Sequence, residues 1–296
     1  MRPDDARKRF ARGFIVDVQK RTGSRTQQQL RETSFMTNEV QQKSPIVFPF
    51  PAMEILGTKV HKATLAQGLE AMEMLTLDGG PHMVITLNTE MVMRAHRDEK
   101  FREVLNSASL ILPDAVGLVW GSRILGNRLT ERLPGVDTVE NLVRIAAQKG
   151  YRLFLLGAAP GVAERVRLIL QDRYHGLIVA GTYSGSPSRH EEEEICTIIN
   201  SSRADILLVA FKVPEQEFWI AQNLHRLRVS IVINVGGTFD FSAGVAKRAP
   251  AWMRKMGLEW LHRLIQQPHR WRRQLVLPQF ALKVFFYRLK HYAKNN

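Results

Sequence analysis

Between residues 46 and 246 the chain alternates two patterns of hydrophobic and polar positions. Runs of five to eight residues, apolar through most of their length, occur at 82–88 (HMVITLN), 109–113 (SLILP), 151–157 (YRLFLLG), 176–182 (GLIVAGT), 204–211 (ADILLVAF) and 229–236 (VSIVINVG). A run that is continuously apolar, rather than apolar at every second position, predicts a strand covered on both faces. Helix-length amphipathic stretches separate them at 63–77, 115–125, 137–149, 161–174, 189–202 and 214–226. Strand and helix in alternation predict a parallel sheet with right-handed crossovers and helices on both faces, a Rossmann-like α/β core. Ligands of such a core bind at the carboxyl ends of its strands.

The polar residues that follow each strand therefore carry the chemistry. They are Thr86 and Asn88, Asp114, Gly157, the stretch from Lys212 to Glu217, and the stretch from Gly236 to Asp240. Local sequence leaves each with a structural reading as well. Asp114 sits between Pro113 and the helical AVGLVW, a setting equally suited to a helix cap and to a catalytic carboxylate. Gly157 and Gly161 in LGAAPGVAE make a strand-turn-helix that can receive a phosphate at the helix N-terminus or simply turn the chain. No G-x-G-x-x-G, P-loop or G-x-S-x-G elbow is present, so the signatures of dinucleotide binding, of ATP binding and of an α/β-hydrolase are missing. C-x-x-C, H-E-x-x-H and D-x-D are missing too. The expectation is that no metal and no cofactor is used, and that charge on a substrate phosphate is met by Arg or Lys.

Charge divides the chain further. Of the net +14, residues 1–45 carry +5 and residues 247–296 carry +11, with twelve Lys and Arg against one acid, so the stretch 46–246 is close to neutral. Three regions follow: a basic extension over 1–45 with little periodicity, an α/β core over 46–246, and a basic helical appendage over 247–296. Positive charge alone admits RNA, DNA, anionic lipid or a pyrophosphate substrate. The single Cys196 cannot form an intrachain disulfide and fits a reducing, cytoplasmic compartment. No apolar run approaches the roughly 18–20 residues that span a bilayer, and the N-terminus lacks a secretory h-region. In the appendage, Trp252, Trp260 and Trp271 lie among arginines, and Phe280, Val284, Phe285 and Leu289 share a face flanked by Lys283, Arg288 and Lys290. That arrangement describes either a helix lying in the plane of a membrane surface or one packed on a partner protein.

Taken together, TLNTEM at 86, ILPDAVGLVW at 111, RLPGVD at 132, FLLGAAPG at 154, PEQEFWI at 214 and the long closing stretch from VGGTFDFSAG at 235 to Arg273 resemble the WecG/TagA/CpsF glycosyltransferases. The resemblance implies an inverting, metal-independent transfer of an N-acetylmannosamine-type sugar. The donor is a UDP-sugar, the acceptor a polyprenyl-diphosphate-linked sugar, and the place the cytoplasmic face of the membrane. It also implies roles. Asp114 stands at the proposed base, with Ala115 where many relatives have Gly. Thr86 and Asn88 match a T-x-N element that lines the pocket. Arg132 precedes the P-G-x-D element, and Gln216 and Glu217 match a Q-E pair, although the preceding AFKVP departs from the family's loop. Arg263, Arg270 and Arg273 match the closing arginines and are expected to clamp the diphosphate. Gly157, Gly236 and Gly237 allow close approach to the nucleotide, and Asp240 is placed for the uridine. Two other readings stand beside this one: a nucleotide-sugar enzyme acting on a soluble substrate, and a basic nucleic-acid-binding protein. Against the second, the aromatics cluster with apolar residues instead of forming a stacking platform.

Overall fold

The computed structural model describes residues 46–268 and 271–292. The extension expected over 1–45 lies outside the described residues. A hairpin of β1 (Ala52–Ile55) and β2 (Thr58–His61) precedes α1 (Leu65–Asp78), and β3 (His82–Leu87) leads through α2 (Thr89–Ala95) and α3 (Glu99–Asn106) to β4 (Leu110–Pro113). Next come α4 (Val116–Ile124), α5 (Gly135–Lys149), β5 (Arg152–Gly157), α6 (Val162–Arg173) and β6 (Ile178–Tyr183). They are followed by α7 (Glu192–Ser202), β7 (Ile206–Ala210), α8 (Glu215–Asn223), β8 (Ile231–Asn234) and α9 (Thr238–Ser242). The chain continues in α10 (Ala251–Lys255), α11 (Glu259–Gln266), α12 (Trp271–Gln274) and α13 (Val276–Tyr292).

All six apolar runs form strands, and they pair in one parallel sheet of order β4-β3-β8-β7-β5-β6. In five of them continuous apolarity is explained by cover on both faces, whereas β6 at the sheet edge is partly exposed along its whole length, against the expectation. Met83, Ile85, Leu87, Ile111, Phe154, Leu156, Leu207, Val209 and Val232 enter a core with residues of α2, α3, α7 and α8. The alternate positions, among them Val84, Leu112, Leu153, Leu155 and Ile233, are buried on the face where α1 and α6 pack. The last strand to form in sequence, β8, is central in space. Its insertion between β3 and β7 sets Leu87, Pro113, Val209 and Asn234 at neighbouring strand ends, and the polar residues beyond them converge.

The β1-β2 hairpin was not anticipated from the pattern. It covers the outer edge of β4, where the Ile111 N–H donates to His61 Nδ1 at 3.0 Å. Burial, aided by the nearby charge of Lys59, lowers the His61 pKa to about 4, so the ring stays neutral and can accept. An edge that would otherwise invite pairing is thereby closed.

The final helix does not present the single apolar face expected of it. α13 packs against α2 and α4. On α4, Gly117 and Gly121 form a small-residue stripe: a Cβ at Gly121 would lie 2.8 Å from the Phe280 ring, and one at Gly117 would lie 3.7 Å from Leu277. Phe280 and Val284 are consequently buried, at 2% and 0% exposure, which stabilises the docked helix by roughly 1.5–3 kcal/mol for each side chain. Leu282, Phe285, Phe286 and Leu289 point away and are 50% to 62% exposed. The expected face is thus split between the core and the solvent, because the glycines of α4 open a groove that local periodicity does not reveal. No helix among the described residues is long and apolar enough to cross a membrane.

Candidate active site

Asp114 follows β4 directly, its backbone N–H donating to Leu87 O at 2.8 Å. Its carboxylate Oδ1 accepts from the Gly135 N–H at 2.8 Å, in the first turn of α5. The helix N-terminus is an orphan donor with a positive dipole end, so it fixes and favours the anion. Burial works in the other direction and is the stronger influence. It raises the Asp114 pKa to about 6, against the lowering effects of the Gly135 N–H and the Arg132 charge. A carboxylate poised there takes a proton at neutral pH more readily than an ordinary aspartate.

Thr86 closes the other side of this position. A Cβ at Gly135 would lie 3.6 Å from Thr86 Oγ1 and 3.8 Å from Thr238 Oγ1, so β3 and the starts of α5 and α9 meet beside Asp114. The Thr86 hydroxyl donates to Asn234 O at 2.9 Å, and its N–H donates to Asn234 Oδ1 at 2.6 Å. Asn88 begins α2, its side chain accepting from the Met91 N–H at 3.0 Å.

Gln216 and Glu217 are buried beneath the strand ends. Gln216 Oε1 accepts from the N–H groups of Phe211 and Gly236, both at 3.1 Å, and so ties the loop after β7 to the loop after β8. Its amide donates to Glu217 Oε1 at 2.8 Å, and Asn234 Nδ2 donates to the same oxygen at 2.9 Å. Both residues therefore organise the loops from below. Glu217 is 0% exposed and its Oε2 has no hydrogen-bond partner among the described residues. Burial raises its pKa to about 7, in spite of the bonds from Gln216 and Asn234.

This has a consequence for stability. Asp114 and Glu217 have folded-state pKa values above their unfolded ones, so the stability they contribute is present below about pH 4 and is lost as pH rises through about 6 and 7. Glu217→Gln keeps an oxygen for Gln216 and Asn234 and removes the ionisation. The melting temperature of the wild type relative to this variant should fall between pH 5 and pH 8, by the equivalent of up to about 3 kcal/mol. Parallel pH profiles would show that Glu217 ionises normally.

The glycines divide by role. Gly157 has φ +93, and a Cβ there would lie within 3.0 Å of the Ala210 backbone and the Phe211 ring, so it serves the close approach of β5 to β7. Ala158 follows at φ +63, a left-handed conformation costing a non-glycine residue roughly 1–2 kcal/mol. Gly236 has φ +46 with open space around it. At Gly237 a Cβ would lie 2.8 Å from an Arg263 guanidinium nitrogen, so glycine is what admits Arg263 to this loop. That guanidinium also lies 4.9 Å from the centre of the Phe241 ring. Asp240 is in the first turn of α9.

Arg263 belongs to α11, and it is one of several groups that the C-terminal segment brings to the core. Arg273 of α12 pairs with Glu90 at 2.6 Å, two residues beyond Asn88. Glu259 of α11 pairs with Arg132 at 2.6 Å, and Arg248 grips Asp137 through two bonds of 2.6 and 2.7 Å. Arg270 lies outside the described residues. Of the residues expected from the sequence, the structure gathers Asp114, Thr86 and Arg132 at one place and sets Arg263 at the loop after β8. Sequence reasoning passed over Asn234, Arg248 and Glu259. Asn234 was signalled by a polar side chain inside the otherwise apolar VSIVIN, and Glu259 by being the only acid after residue 246.

Among the described residues no group of three His, Cys, Asp or Glu is placed to hold a metal ion. The arrangement is the carboxylate of Asp114 with a raised pKa, a hydroxyl and an amide at the strand ends, a second such carboxylate, Glu217, buried behind the amide, and several guanidinium groups. It suits proton removal from a hydroxyl next to a departing anion.

Residues 53–294 match the glycosyl transferase WecG/TagA/CpsF family. The chain is 36% identical over 202 residues to the N-acetylglucosaminyldiphosphoundecaprenol N-acetyl-beta-D-mannosaminyltransferase of Bacillus subtilis (strain 168), covering 68% of this chain and 78% of that protein. It is 29% identical over 234 residues to the protein of the same name from Staphylococcus aureus (strain MW2), covering 78% and 91% respectively.

Proposed function

The chain belongs to the WecG/TagA/CpsF family of glycosyltransferases, and from that premise we propose that it transfers an N-acetylmannosamine-type sugar from UDP to a polyprenyl-diphosphate-linked sugar in cell-surface polymer synthesis. The observation that carries the mechanism is Asp114, held by the Gly135 N–H beside Arg132 with its pKa near 6. In this reading Asp114 takes the proton of the acceptor hydroxyl as that oxygen attacks the anomeric carbon from the face opposite UDP. The bond from the anomeric carbon to the diphosphate breaks, and UDP leaves with the electron pair. Thr86 and Asn88 orient the reacting sugars. Arg132, Arg263, Arg270 and Arg273 meet the charge developing on the diphosphate, guanidinium being suited to bidentate contact with phosphate oxygens. Gly236 and Gly237 admit the nucleotide, with Asp240 beside the uridine.

A lipid-linked acceptor supports the reading that the work is done at a membrane surface. The exposed Leu282, Phe285, Phe286 and Leu289 of α13, with Lys283, Arg288 and Lys290 on the same helix, form the surface proposed to lie on the cytoplasmic leaflet. Apolar side chains enter the headgroup boundary there and the cations meet anionic lipid.

The test is transfer from a panel of UDP-sugars to a short-chain polyprenyl-diphosphate-N-acetylglucosamine, with and without EDTA. UDP-N-acetylmannosamine should be the productive donor, and activity should survive the chelator because arginines carry the phosphate charge. No transfer from any donor would refute the reading. Loss in EDTA that Mn²⁺ or Mg²⁺ restores would refute the metal-independent mechanism.

A further inference from the structure

From residue 247 onward the chain carries twelve Lys and Arg and one carboxylate, Glu259. That carboxylate reaches out of its own segment. Its Oε2 accepts from Arg132 of the core at 2.6 Å, and its Oε1 lies 3.5 Å from Arg248 Nε. Arg248 in turn holds Asp137 with both terminal nitrogens. Arg132, Glu259, Arg248 and Asp137 thus form a row of alternating charge, each partly buried. The row runs beside Asp114, on which the charges of Arg132, Glu259 and Asp137 all act.

A second observation, independent of charge, seats Glu259 at this place. Two residues earlier, Gly257 turns at φ +73, and a Cβ there would lie 2.7 Å from Val116, the first residue of α4 and two beyond Asp114. Only glycine combines that conformation with so close a pass. The turn therefore presses the C-terminal segment onto the residues next to Asp114 and points the following helix, α11, at Arg132.

We propose that Glu259 is a positioning residue for the transfer, reaching from the C-terminal segment to hold the Arg132 guanidinium beside Asp114, where it meets the diphosphate of the donor. An arginine has five N–H donors, and the bond to Glu259 Oε2 uses one nitrogen, leaving others for phosphate oxygens. Without its carboxylate the partly buried side chain of Arg132 loses the partner that selects one rotamer, and the reacting diphosphate meets a group that must first be ordered. This inference rests on the reading of the chain as a UDP-sugar transferase with Asp114 as base.

The experiment uses the full chain with a water-soluble acceptor. Glu259→Gln should lower kcat roughly tenfold or more, in keeping with the cost of misplacing a group in a reacting assembly. The donor KM should change by less than about threefold, since the loss falls on the transition state. The acid limb of the kcat/KM profile should remain in Glu259→Gln, because burial is the main cause of the raised Asp114 pKa. In an Arg132→Ala background, Glu259→Gln should have little further effect, and Glu259→Asp should recover part of the lost turnover. An unchanged kcat overturns the proposal. So does a full Glu259→Gln effect without Arg132, or a loss of turnover accompanied by a C-terminal segment newly open to trypsin, which assigns Glu259 to docking alone. Failure of the underlying reading looks different: the acid limb would then persist in Asp114→Asn.

Discussion

Replacing Asp114 by Asn should lower turnover by roughly 10² or more, since general acid–base catalysis is typically worth about 10²–10⁴. The substitution is conservative where structure is concerned, because the side-chain oxygen of Asn can still accept from the Gly135 N–H that Asp114 Oδ1 binds at 2.8 Å. It removes only the capacity to take a proton. UDP binding should therefore stay close to that of the wild type and the fold should not be weakened, removal of the buried ionisation if anything raising stability above pH 6, and near-normal turnover in the folded variant would sink the assignment. The wild type makes a companion expectation. Burial brings the Asp114 pKa up to about 6, so kcat/KM should rise as pH increases through that value, when the free enzyme acquires its base. Asp114→Asn should flatten this rise.

Ending the chain near residue 246 should abolish transfer even to a water-soluble acceptor. The structure gives the C-terminal segment two tasks that membrane anchoring alone does not explain. It brings Arg263 against Gly237, Glu259 to Arg132 and Arg273 to Glu90, and it fills the groove at Gly121 with Phe280 and Val284. Truncation exposes that groove and costs stability, so a full-length variant separates the effects. Arg263→Ala with Arg270→Ala and Arg273→Ala leaves Phe280 and Val284 seated. Liposome binding should weaken by at most about 1 kcal/mol per charge. Transfer should fall much further, because removing one preorganised group aimed at developing charge commonly costs about 10²–10³ in rate. Full activity of the triple variant on a soluble acceptor would leave these arginines with no part in catalysis.

The pattern of the chain determined which segments form the parallel sheet, though not the β1-β2 hairpin at its edge, and, from their neighbours, where the chemistry lies. A strand covered on both faces must be apolar throughout, so 82–88, 109–113, 151–157, 204–211 and 229–236 were legible one at a time, 176–182 forms a strand without that cover, and the polar residues after them marked the ligand edge. Thr86 and Asp114 could be named for the same reason: in a parallel sheet the carboxyl ends all face one way, whereas Arg132 was named only through the family resemblance. The separation of charge, nearly neutral over 46–246 and strongly basic after it, was likewise written in the sequence.

Tertiary structure alone decided which of these residues meet. Strand order is set by packing, and only the placement of β8 between β3 and β7 brings Asn234 to Thr86 and Glu217. Nothing local to Gln216 distinguishes a residue that faces substrate from one that ties two loops beneath it. The apolar positions of α13 were visible, but their division was not, because it depends on two glycines more than 150 residues away that leave room for Phe280 and Val284. Glu259 is the plainest case. Sequence counts it as one acid among twelve bases, whereas its seat beside Arg132 depends on a glycine turn against Val116. Periodicity reports how each element divides between water and the interior. Contacts between distant elements depend on complementary shape and charge, which exist only once the chain has folded.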